Sequence, residues 1–249
     1  GKDLSTSVFD KKMSLYKDAN ITFVGCSRWL SGRAKKSYLL RGKAVLSIPN
    51  PIDTKVYHPM DQGMARELLG LPSGKRLLLF GALNVTDKRK GIDYLIEALR
   101  RMEKQDVELV VFGQVKDDIR GLFPVPIHSM GYLSDESKIV ALYNAVDMFI
   151  TSSLEENLPN TIMESMACGT PCVGFEIGGI PEMIDHRVNG YVANYKDAGD
   201  LANGIQWVLE HEDRLALSDA CVKKVQENYT EEVVAKQYTA LYEKLLKGE

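Results

Sequence analysis

Two glutamates, Glu156 and Glu164, lie eight positions apart across the expected start of a helix. Proline suits the first helical position, so Pro159 places the helix start between them, and Gly169 followed by Pro171 marks the helix end. Glu156 is therefore predicted on the loop and Glu164 on the helix. The open backbone N–H groups of the first turn lie between them, with the positive end of the helix dipole.

The layout between the two glutamates suits a ligand with an anionic middle and a hydroxyl-rich group at each end. A nucleotide-diphosphate sugar is such a ligand, because its diphosphate can face the helix N-terminus while carboxylates accept hydrogen bonds from sugar and ribose hydroxyls. Two glutamates at this spacing also arise by chance at an ordinary solvated helix start. The pair by itself therefore leaves both interpretations open.

A cationic segment follows the apolar run 77–80 and opens the next expected helix. It contains Lys88, Arg89 and Lys90, and Gly91 follows directly. Lysine supplies a point charge and arginine a planar fork, so this junction is a natural diphosphate site, with a solvated charge run as the alternative. No G-x4-G-K-[ST] motif occurs, which excludes a P-loop, and no G-x-G-x-x-G motif follows a strand, which argues against an NAD-binding oxidoreductase.

Three motifs follow one another from Glu156 onward: the E-x7-E pair, the A-C-G-T-P turn at 167–171 and the G-G-I-P-E loop at 178–182. Together they resemble the nucleotide-sugar site of the GT4-type retaining glycosyltransferases, which have the GT-B fold, and in particular those of bacterial polysaccharide biosynthesis. The motifs occur in the order of the family, and the resemblance covers most of residues 45–247. It implies that this chain contains the C-terminal half of a GT-B fold.

The resemblance implies roles for the residues around the E-x7-E pair. Glu156 would orient hydroxyls of the donor sugar together with the amides of Asn157 and Leu158, and Glu164 would hold the ribose. Glu156 is not assigned as a nucleophile, because retaining enzymes of this type are described as reacting on one face of the sugar. The first turn of the helix adds Asn160 and Thr161 to the donor site.

The resemblance also implies that two cations bind the diphosphate. The family has Gly-Arg after the strand and Lys-Gly at the helix start. Gly81 and Lys90 match these elements, but Ala82 occupies the expected arginine position. Lys90 and Arg89 are therefore expected to stabilise the departing diphosphate, with Lys88 as the alternative to Arg89.

The turn Gly131, Tyr132 and Leu133 would line the nucleobase pocket in the resembled family, mostly through backbone atoms. An ordinary strand-to-helix turn with Ser134 as the helix N-cap is the alternative, and both interpretations can hold together. Recognition by backbone atoms leaves little trace in a sequence, so the base is not identified.

Apolar runs alternate with helical patterns along most of the chain, which predicts an α/β fold with a doubly wound, Rossmann-like parallel sheet. The predicted strands are 21–26, 44–48, 76–81, 107–113, 126–130, 146–152, 171–175 and 190–193. The predicted helices are 29–40, 63–69, 92–104, 135–145, 159–168, 201–212, 215–228 and 231–247.

A stiff Pro-Asn-Pro segment suggests a boundary after the second strand. Residues 1–48 are predicted to be a remnant of an N-terminal acceptor-binding domain, and 49–55 to be a linker. Residues 56–230 would form the nucleotide-sugar-binding domain. By resemblance, a final helix over 231–249 would return towards the N-terminal domain.

Composition sets broad limits on the function. The chain has 249 residues, 45% hydrophobic and 26% charged, with a net charge of −3, so nothing favours a nucleic-acid partner. It has no apolar run long enough for a membrane span, and its first residues do not match a signal peptide. Four scattered cysteines predict free thiols in the cytoplasm and no metal site.

The expected function is transfer of a glycosyl group from a UDP-, GDP- or ADP-sugar to a glycan or lipid-linked acceptor, with retention of anomeric configuration, in cell-surface polysaccharide biosynthesis. By resemblance the reaction needs no metal ion and no cofactor besides the donor substrate. A nucleotide-binding module without turnover is the main alternative, and an epimerase or phosphorylase of the same fold is a weaker one. The sugar, the base, the acceptor and the linkage stay open.

The missing acceptor side of the cleft leads to expectations about this chain itself. We expect it to be inactive alone and to form homodimers through its N-terminal segment or last helix. The full-length protein is expected to associate peripherally with the inner face of the membrane.

Overall fold

The computed structural model describes residues 3–84, 87–102, 106–114 and 120–248. Its strands are β1 (Thr22–Gly25), β2 (Ala44–Ser47), β3 (Arg76–Asn84), β4 (Val107–Gln114), β5 (Ile127–Gly131), β6 (Met148–Thr151), β7 (Cys172–Phe175) and β8 (Gly190–Ala193). Its helices are α1 (Leu4–Lys17), α2 (Arg28–Lys36), α3 (Gln62–Leu69), α4 (Ile92–Arg101), α5 (Glu136–Ala145), α6 (Asn160–Ala167), α7 (Ile180–Met183), α8 (Ala198–Leu209), α9 (Arg214–Asn228) and α10 (Glu231–Leu246).

Six strands form one parallel sheet in the order β5-β4-β3-β6-β7-β8. The chain enters at β3, extends the sheet to one side through β4 and β5, and then continues on the other side through β6, β7 and β8. The predicted doubly wound parallel sheet is therefore confirmed. Because the direction of winding reverses between β3 and β6, a crevice is expected outside the carboxyl ends of these two strands.

The centre of β3 explains why the sheet is covered on both faces. Leu77, Leu78 and Leu79 are all fully buried. Leu77 and Leu79 join the apolar cluster formed with α3, α5, α6 and α9, whereas Leu78 joins the cluster formed with α4 and α8. A continuous apolar run is the pattern of such a strand, since alternate side chains enter different halves of the core.

A buried aspartate fixes the opposite, amino-terminal edge of the sheet. Asp147 precedes β6, and its carboxylate accepts the backbone N–H of Leu77 at 2.7 Å. It also meets Arg66 at 3.1 Å, Arg76 at 3.5 Å and Arg214. The aspartate side chain is 2% exposed and that of Arg66 is 6% exposed. This cluster joins β3, β6, α3 and α9 at one point.

Strands β1 and β2 form a separate two-stranded parallel sheet, and α10 packs beside it. Ile48 shares a small buried cluster with Val234 and Leu241 of α10. The backbone N–H of Ile52 donates to the carbonyl of Tyr229 at 2.8 Å. The last helix therefore contacts Ile48, just before the segment 49–55, and Tyr229, which precedes this helix, contacts the segment itself. The predicted division into domains stays a prediction.

Helix α1 was not predicted from the sequence. Its N-cap is Asp3, whose carboxylate accepts the N–H of Thr6 at 2.8 Å. None of its residues is fully buried, although Phe9 stacks on Tyr38 and Tyr16 meets Phe23 edge-on. Within the described residues, no helix has the length and apolarity needed to cross a bilayer.

Several predicted helix boundaries were wrong, among them those of the helix predicted over 201–212, which spans Ala198–Leu209, and one short helix was missed. The helix expected over 29–40 ends at Lys36, because Ser37 is extended and a separate 3-10 turn covers Tyr38–Leu40. Pro159 is not the first helical residue but precedes it, with an extended ψ of 119°. The G-G-I-P-E loop contains the short helix α7. For the helix expected over 92–104, residues 103–105 lie outside the described residues.

Candidate active site

The candidate site lies where the loops after β3 and β6 meet, at the carboxyl edge of the sheet. Three contacts join these loops. The N–H of Leu154 donates to the carbonyl of Arg89 at 2.7 Å, and the hydroxyl of Ser152 donates to the carbonyl of Lys90 at 2.9 Å. Gly91 has a φ of 62°, and a β-carbon there would collide with the carbonyl of Ser152. Glycine is required because both the backbone angle and the close approach exclude a side chain.

The structure brings two of the predicted catalytic residues into direct contact. Lys90 Nζ lies 2.6 Å from Glu156 Oε1, and the two side chains are 33% and 15% exposed. Lys90 belongs to a 3-10 turn before α4, and Glu156 belongs to the loop before α6. A strong cation and a carboxylate acceptor therefore stand side by side at the crevice, one from each loop.

Arg89 is placed differently from Lys90. Its guanidinium binds the carboxylate of Asp87, with Nη2 2.7 Å from Oδ2, and its side chain is 69% exposed. This hydrogen bond lowers the pKa of Asp87 to about 2. Among the described residues, the side-chain hydrogen bonds of Arg89 therefore join it to Asp87 of its own loop rather than to Glu156. Val85, Thr86 and the side chain of Ala82, which belong to the predicted diphosphate loop, lie outside the described residues.

Glu164 is on α6, as predicted, and is partly buried. Its Oε2 accepts the hydroxyl of Tyr143 at 2.8 Å. Burial raises the pKa of the Glu164 carboxyl above its usual value, and the bond from Tyr143 opposes this rise. Among the described residues, Tyr143 is the one hydrogen-bond partner of this carboxylate. Its other oxygen retains capacity to accept hydrogen bonds from a ligand.

The loop that carries Glu156 is packed against the G-G-I-P-E loop. A β-carbon on Gly178 would collide with the carbonyl of Glu156, and one on Gly179 would collide with the carbonyl of Asn157. The N–H of Gly179 donates to that same Asn157 carbonyl at 2.6 Å. The two glycines therefore allow a close backbone contact that sets the position of the Glu156 loop.

The side chains of Asn157 and Leu158 contact other parts of the protein. Asn157 Oδ1 accepts the hydroxyl of Ser27 at 2.6 Å, and its Nδ2 donates to the sulfur of Cys26 at 2.9 Å. Leu158 is 6% exposed and belongs to the core. The amides proposed to meet the donor sugar thus stand on a loop that is fixed from both sides.

At the start of α6, Asn160 is exposed and Thr161 is half-buried. The Nδ2 of Asn50 donates to Asn160 Oδ1 at 3.5 Å, which is a long contact. Gly81 lies on β3, where a β-carbon would collide with the ring of Phe112. The absence of a side chain at Gly81 therefore leaves room for the ring of Phe112.

The predicted nucleobase turn follows β5. Gly131 has a φ of 64°, Tyr132 is 62% exposed, and Leu133 packs against the core. The N-cap of α5 is Asp135, whose carboxylate accepts the N–H of Ser137 at 3.0 Å, rather than the preceding serine. The alternative interpretation of this turn was therefore wrong by one residue, because aspartate at the next position makes the capping bond.

Two residues near the site were not found as functional candidates from the sequence. Tyr143 lies in a continuous apolar stretch of α5 and looks like an ordinary core residue. Glu182 belongs to the G-G-I-P-E motif, but its contact is distant in sequence. Its carboxylate accepts the N–H of Arg28 at 2.9 Å and that of Trp29 at 2.8 Å, at the start of α2.

A match to a known family covers the part of the chain that contains the candidate site. Residues 74–211, which are more than half of the chain, match the family model "Glycosyl transferases group 1". The chain belongs to this family. Its resemblance to a bacterial GT-B glycosyltransferase is thereby confirmed.

Individual relatives are similar over different lengths. N-acetyl-alpha-D-glucosaminyl L-malate synthase of Bacillus anthracis is 24% identical over 213 residues, which cover 83% of this chain and 55% of that protein. The uncharacterized glycosyltransferase MJ1607 of Methanocaldococcus jannaschii is 28% identical over 187 residues, 71% of this chain and 47% of its own. The group 1 chain described here thus spans about half the length of these curated relatives.

Solved structures share the fold. Sucrose-phosphate synthase of Thermosynechococcus elongatus superposes with a TM-score of 0.81 at 22% identity, covering all of this chain and 63% of its own. HepE of Anabaena, solved in complex with UDP-glucose, superposes with a TM-score of 0.76 at 19% identity, covering 96% of this chain and 68% of its own. At these identities the superpositions establish the fold of this group 1 member.

Proposed function

We propose that this chain is the donor-binding part of a retaining glycosyltransferase that uses a nucleotide-diphosphate sugar. The observation that carries the proposal is the ion pair between Lys90 and Glu156, which joins the loops after β3 and β6 at the reversal of strand order. Open parallel sheets bind ligands at this point. The fold neighbour HepE was solved with UDP-glucose, which supports a nucleotide sugar as the donor class.

Each residue of the site has a part in the proposed reaction. Lys90 and the N-terminus of α6 stabilise the negative charge of the departing diphosphate. Arg89 assists after leaving Asp87. Glu156 orients donor-sugar hydroxyls, and Glu164 accepts hydrogen bonds from the ribose. Since Glu156 holds Lys90 at 2.6 Å in the structure, donor binding requires the diphosphate to compete with this carboxylate for the lysine.

The remaining donor contacts are backbone contacts in this proposal. The amides of Asn157 and Leu158 meet the sugar, and Asn160 and Thr161 present the first turn of α6. The turn after β5 lines the base. Positive charge comes from the protein itself, so we propose that transfer needs neither a metal ion nor a further cofactor; transfer that is lost on adding EDTA and restored by a divalent cation would contradict this.

We further propose that the acceptor is a glycan or a lipid-linked sugar, that the anomeric configuration is retained, and that the product enters cell-surface polysaccharide. In this proposal the full-length protein works in the cytoplasm at the inner face of the membrane. NMR of the transferred sugar during turnover identifies the anomer formed first, and an inverted product would remove the retaining assignment.

A nucleotide-binding module without turnover is the second candidate, for this chain by itself. The chain spans about half the length of its curated relatives, and catalysis needs donor and acceptor held together. We therefore propose that it binds nucleotide and transfers no sugar alone, while a full-length protein does. Transfer of labelled sugar to a panel of glycan and lipid-linked acceptors by this chain alone would contradict the second candidate.

The sharpest test of the donor proposal is a binding panel. Calorimetry with UDP-, GDP- and ADP-sugars is expected to select one base for the wild-type protein. Lys90→Ala should then weaken binding of the selected nucleotide sugar, whereas Lys223→Ala, on the exposed surface of α9, should not. If no member of the panel binds, the donor proposal fails.

We also propose that the chain self-associates through its N-terminal segment or last helix. Val24 and Leu46 face each other in the β1–β2 register and are 36% and 41% exposed, and Leu246 of α10 is 88% exposed. Exposed apolar residues of this kind favour association. Sedimentation of the wild type against a Val24→Thr, Leu46→Thr double variant distinguishes a dimer formed through this sheet from a monomer.

A further inference from the structure

The ring of Tyr143 is held in one position by aromatic contacts. It is fully buried in α5. Phe112 of β4 meets it edge-on at a centroid distance of 6.2 Å, and Phe149 of β6 does so at 6.0 Å, with interplanar angles of 82° and 83°. Edge-to-face contacts of this kind are favourable and directional. The phenol therefore has little freedom to turn.

The backbone of Tyr143 is held as well. Its carbonyl accepts the hydroxyl of Thr170 at 2.7 Å, in the turn that follows α6. The neighbouring Asn144 accepts the N–H of Met60 at 2.8 Å through its side chain. The end of α5 is thus anchored to the turn after α6 and to the loop before α3, which fixes the hydroxyl of Tyr143 relative to Glu164.

The hydroxyl of Tyr143 acts as a hydrogen-bond donor to Glu164. Burial and the neighbouring charge of Glu164 raise the pKa of the Tyr143 phenol well above its usual value, so it stays protonated and donates. It occupies Oε2 of Glu164 and leaves Oε1 for other donors. Within the described part of the chain, this carboxylate also interacts electrostatically with Tyr57, Glu136 and Cys168.

We propose that Tyr143 is a positioning residue that sets ribose recognition: by holding Oε2 of Glu164, it presents Oε1 to the hydroxyls of the donor's ribose. The inference rests on the proposed role of Glu164 in donor binding. A carboxylate with a free side chain would lose conformational entropy on binding, whereas one held by a buried hydroxyl is already oriented. The preference for ribonucleotides over deoxynucleotides therefore depends on a residue that does not touch the ligand.

The test compares Tyr143→Phe with Tyr191→Phe. The first change removes the hydroxyl and keeps the ring between its aromatic neighbours. The second removes an equivalent bond, since the hydroxyl of Tyr191 donates to Asp200 at 2.8 Å away from the site. Calorimetry measures the dissociation constants of UDP and 2′-deoxy-UDP, with GDP and 2′-deoxy-GDP in parallel.

Wild type and Tyr191→Phe are expected to prefer the ribonucleotide by roughly tenfold, the effect of one charge-assisted hydrogen bond. In Tyr143→Phe the preference should fall below about threefold, because ribonucleotide affinity drops more than the affinity of the deoxynucleotide, which has lost one of the two hydroxyls. A purely structural role would weaken both ligands equally. If Tyr143→Phe keeps the wild-type preference, the role of Tyr143 is refuted but the role of Glu164 is not. If the wild type itself shows no preference, both the role of Tyr143 and the ribose role of Glu164 are refuted.

A second variant covers the case in which Tyr143→Phe does not fold. Phe112→Leu keeps the hydroxyl but removes one of the two rings that hold it. The preference for the ribonucleotide should again fall, with a smaller loss of affinity for the deoxynucleotide than for the ribonucleotide. A full wild-type preference in folded Phe112→Leu would show that the orientation of the phenol does not control Glu164.

Discussion

Asp147 and Glu164 are both acidic side chains withdrawn from water, and they lie at opposite edges of one sheet. Asp147, at the amino edge, meets three arginines and the N–H of Leu77. Glu164, near the carboxyl edge, meets one hydroxyl, that of Tyr143, among the described residues. An ionised carboxylate has about four acceptor positions. All acceptor positions of Asp147 are taken by protein groups, so its role is structural. Glu164 still has acceptor positions that can bind a ligand.

The largest effect on stability is expected from a substitution of Asp147, whose carboxylate bonds only protein groups. Asp147→Asn keeps the shape but leaves the buried guanidinium of Arg66 without its counter-charge. Removing one partner of a buried ion pair typically costs about 3–5 kcal/mol, and we expect a loss of this size in the free energy of unfolding. Urea denaturation measures it.

The matched control for Asp147→Asn is Asp106→Asn. Asp106 pairs with Lys75, but its side chain is 72% exposed, so this change should have little effect. Folded Asp147→Asn should bind nucleotide as the wild type does. Equal destabilisation by the two variants would mean that the arginine cluster is not a structural centre.

The next effect concerns the cation at the carboxyl edge. Lys90→Ala removes the proposed diphosphate contact and frees Glu156 to repel the ligand. Loss of a charge-assisted bond corresponds to an affinity loss of about tenfold to a hundredfold for UDP or GDP. Binding of uridine or guanosine, which carry no phosphate, should not change; calorimetry compares the two.

Arg89→Ala sharpens that result. Because Arg89 is exposed and bound to Asp87, we expect a smaller loss of nucleotide affinity than for Lys90→Ala. Both losses should shrink at high salt. A larger loss for Arg89→Ala would assign the main diphosphate contact to the arginine.

A third prediction distinguishes the role of Glu164 from that of Asp147. Glu164→Gln keeps the shape and removes the charge, so nucleotide affinity should fall about tenfold while the fold stays intact. Calorimetry and thermal unfolding of the same sample give both quantities. Unchanged affinity would remove Glu164 from the site.

The smallest effect is a dependence on pH. Burial raises the pKa of Glu164 in the folded state, so the folded protein holds this proton more tightly than the unfolded chain. The stability from this group is present below its unfolded pKa and is lost as pH rises through the folded pKa. Nucleotide affinity should change in the opposite sense and fall as pH drops, because the ionised carboxylate is the acceptor.

Glu164→Gln should remove this step. Unfolding free energies of the wild type and the variant, measured between about pH 4 and pH 7, should therefore converge at the acid end and separate towards neutral pH, with the variant no less stable there. Parallel curves across the range would contradict the raised pKa.

The sequence was sufficient for those parts of the molecule that depend on local pattern. The run Leu77–Leu79 predicted a strand covered on both faces, and both halves of the core are built on it. The glutamates of the E-x7-E motif were predicted on the loop and the helix where they lie. Each of these signals is contained within a few residues.

Contacts between distant segments could not be predicted. The sequence neighbours of Tyr143 are mostly apolar, and only the three-dimensional structure shows that its hydroxyl donates to Glu164. Glu182 binds the start of α2, 154 positions away, which no spacing rule anticipates. Helix α1 was missed for a different reason, since none of its residues is fully buried and its apolar stripe is short.

The hydrogen bonds between Glu182 and the start of α2 have a consequence for chimaeric proteins made from two relatives. The carboxylate is bound by the backbone N–H groups of Arg28 and Trp29, and backbone groups are the same in any helix that starts at this place. A chimaera joined within residues 49–55 would thus keep this contact whatever side chains the foreign N-terminal half carries. The hydroxyl of Ser27 and the sulfur of Cys26, which both bind the side chain of Asn157, and the apolar side chain of Ile48 are the parts that a graft has to supply. Compatibility at this junction therefore depends on these three side chains.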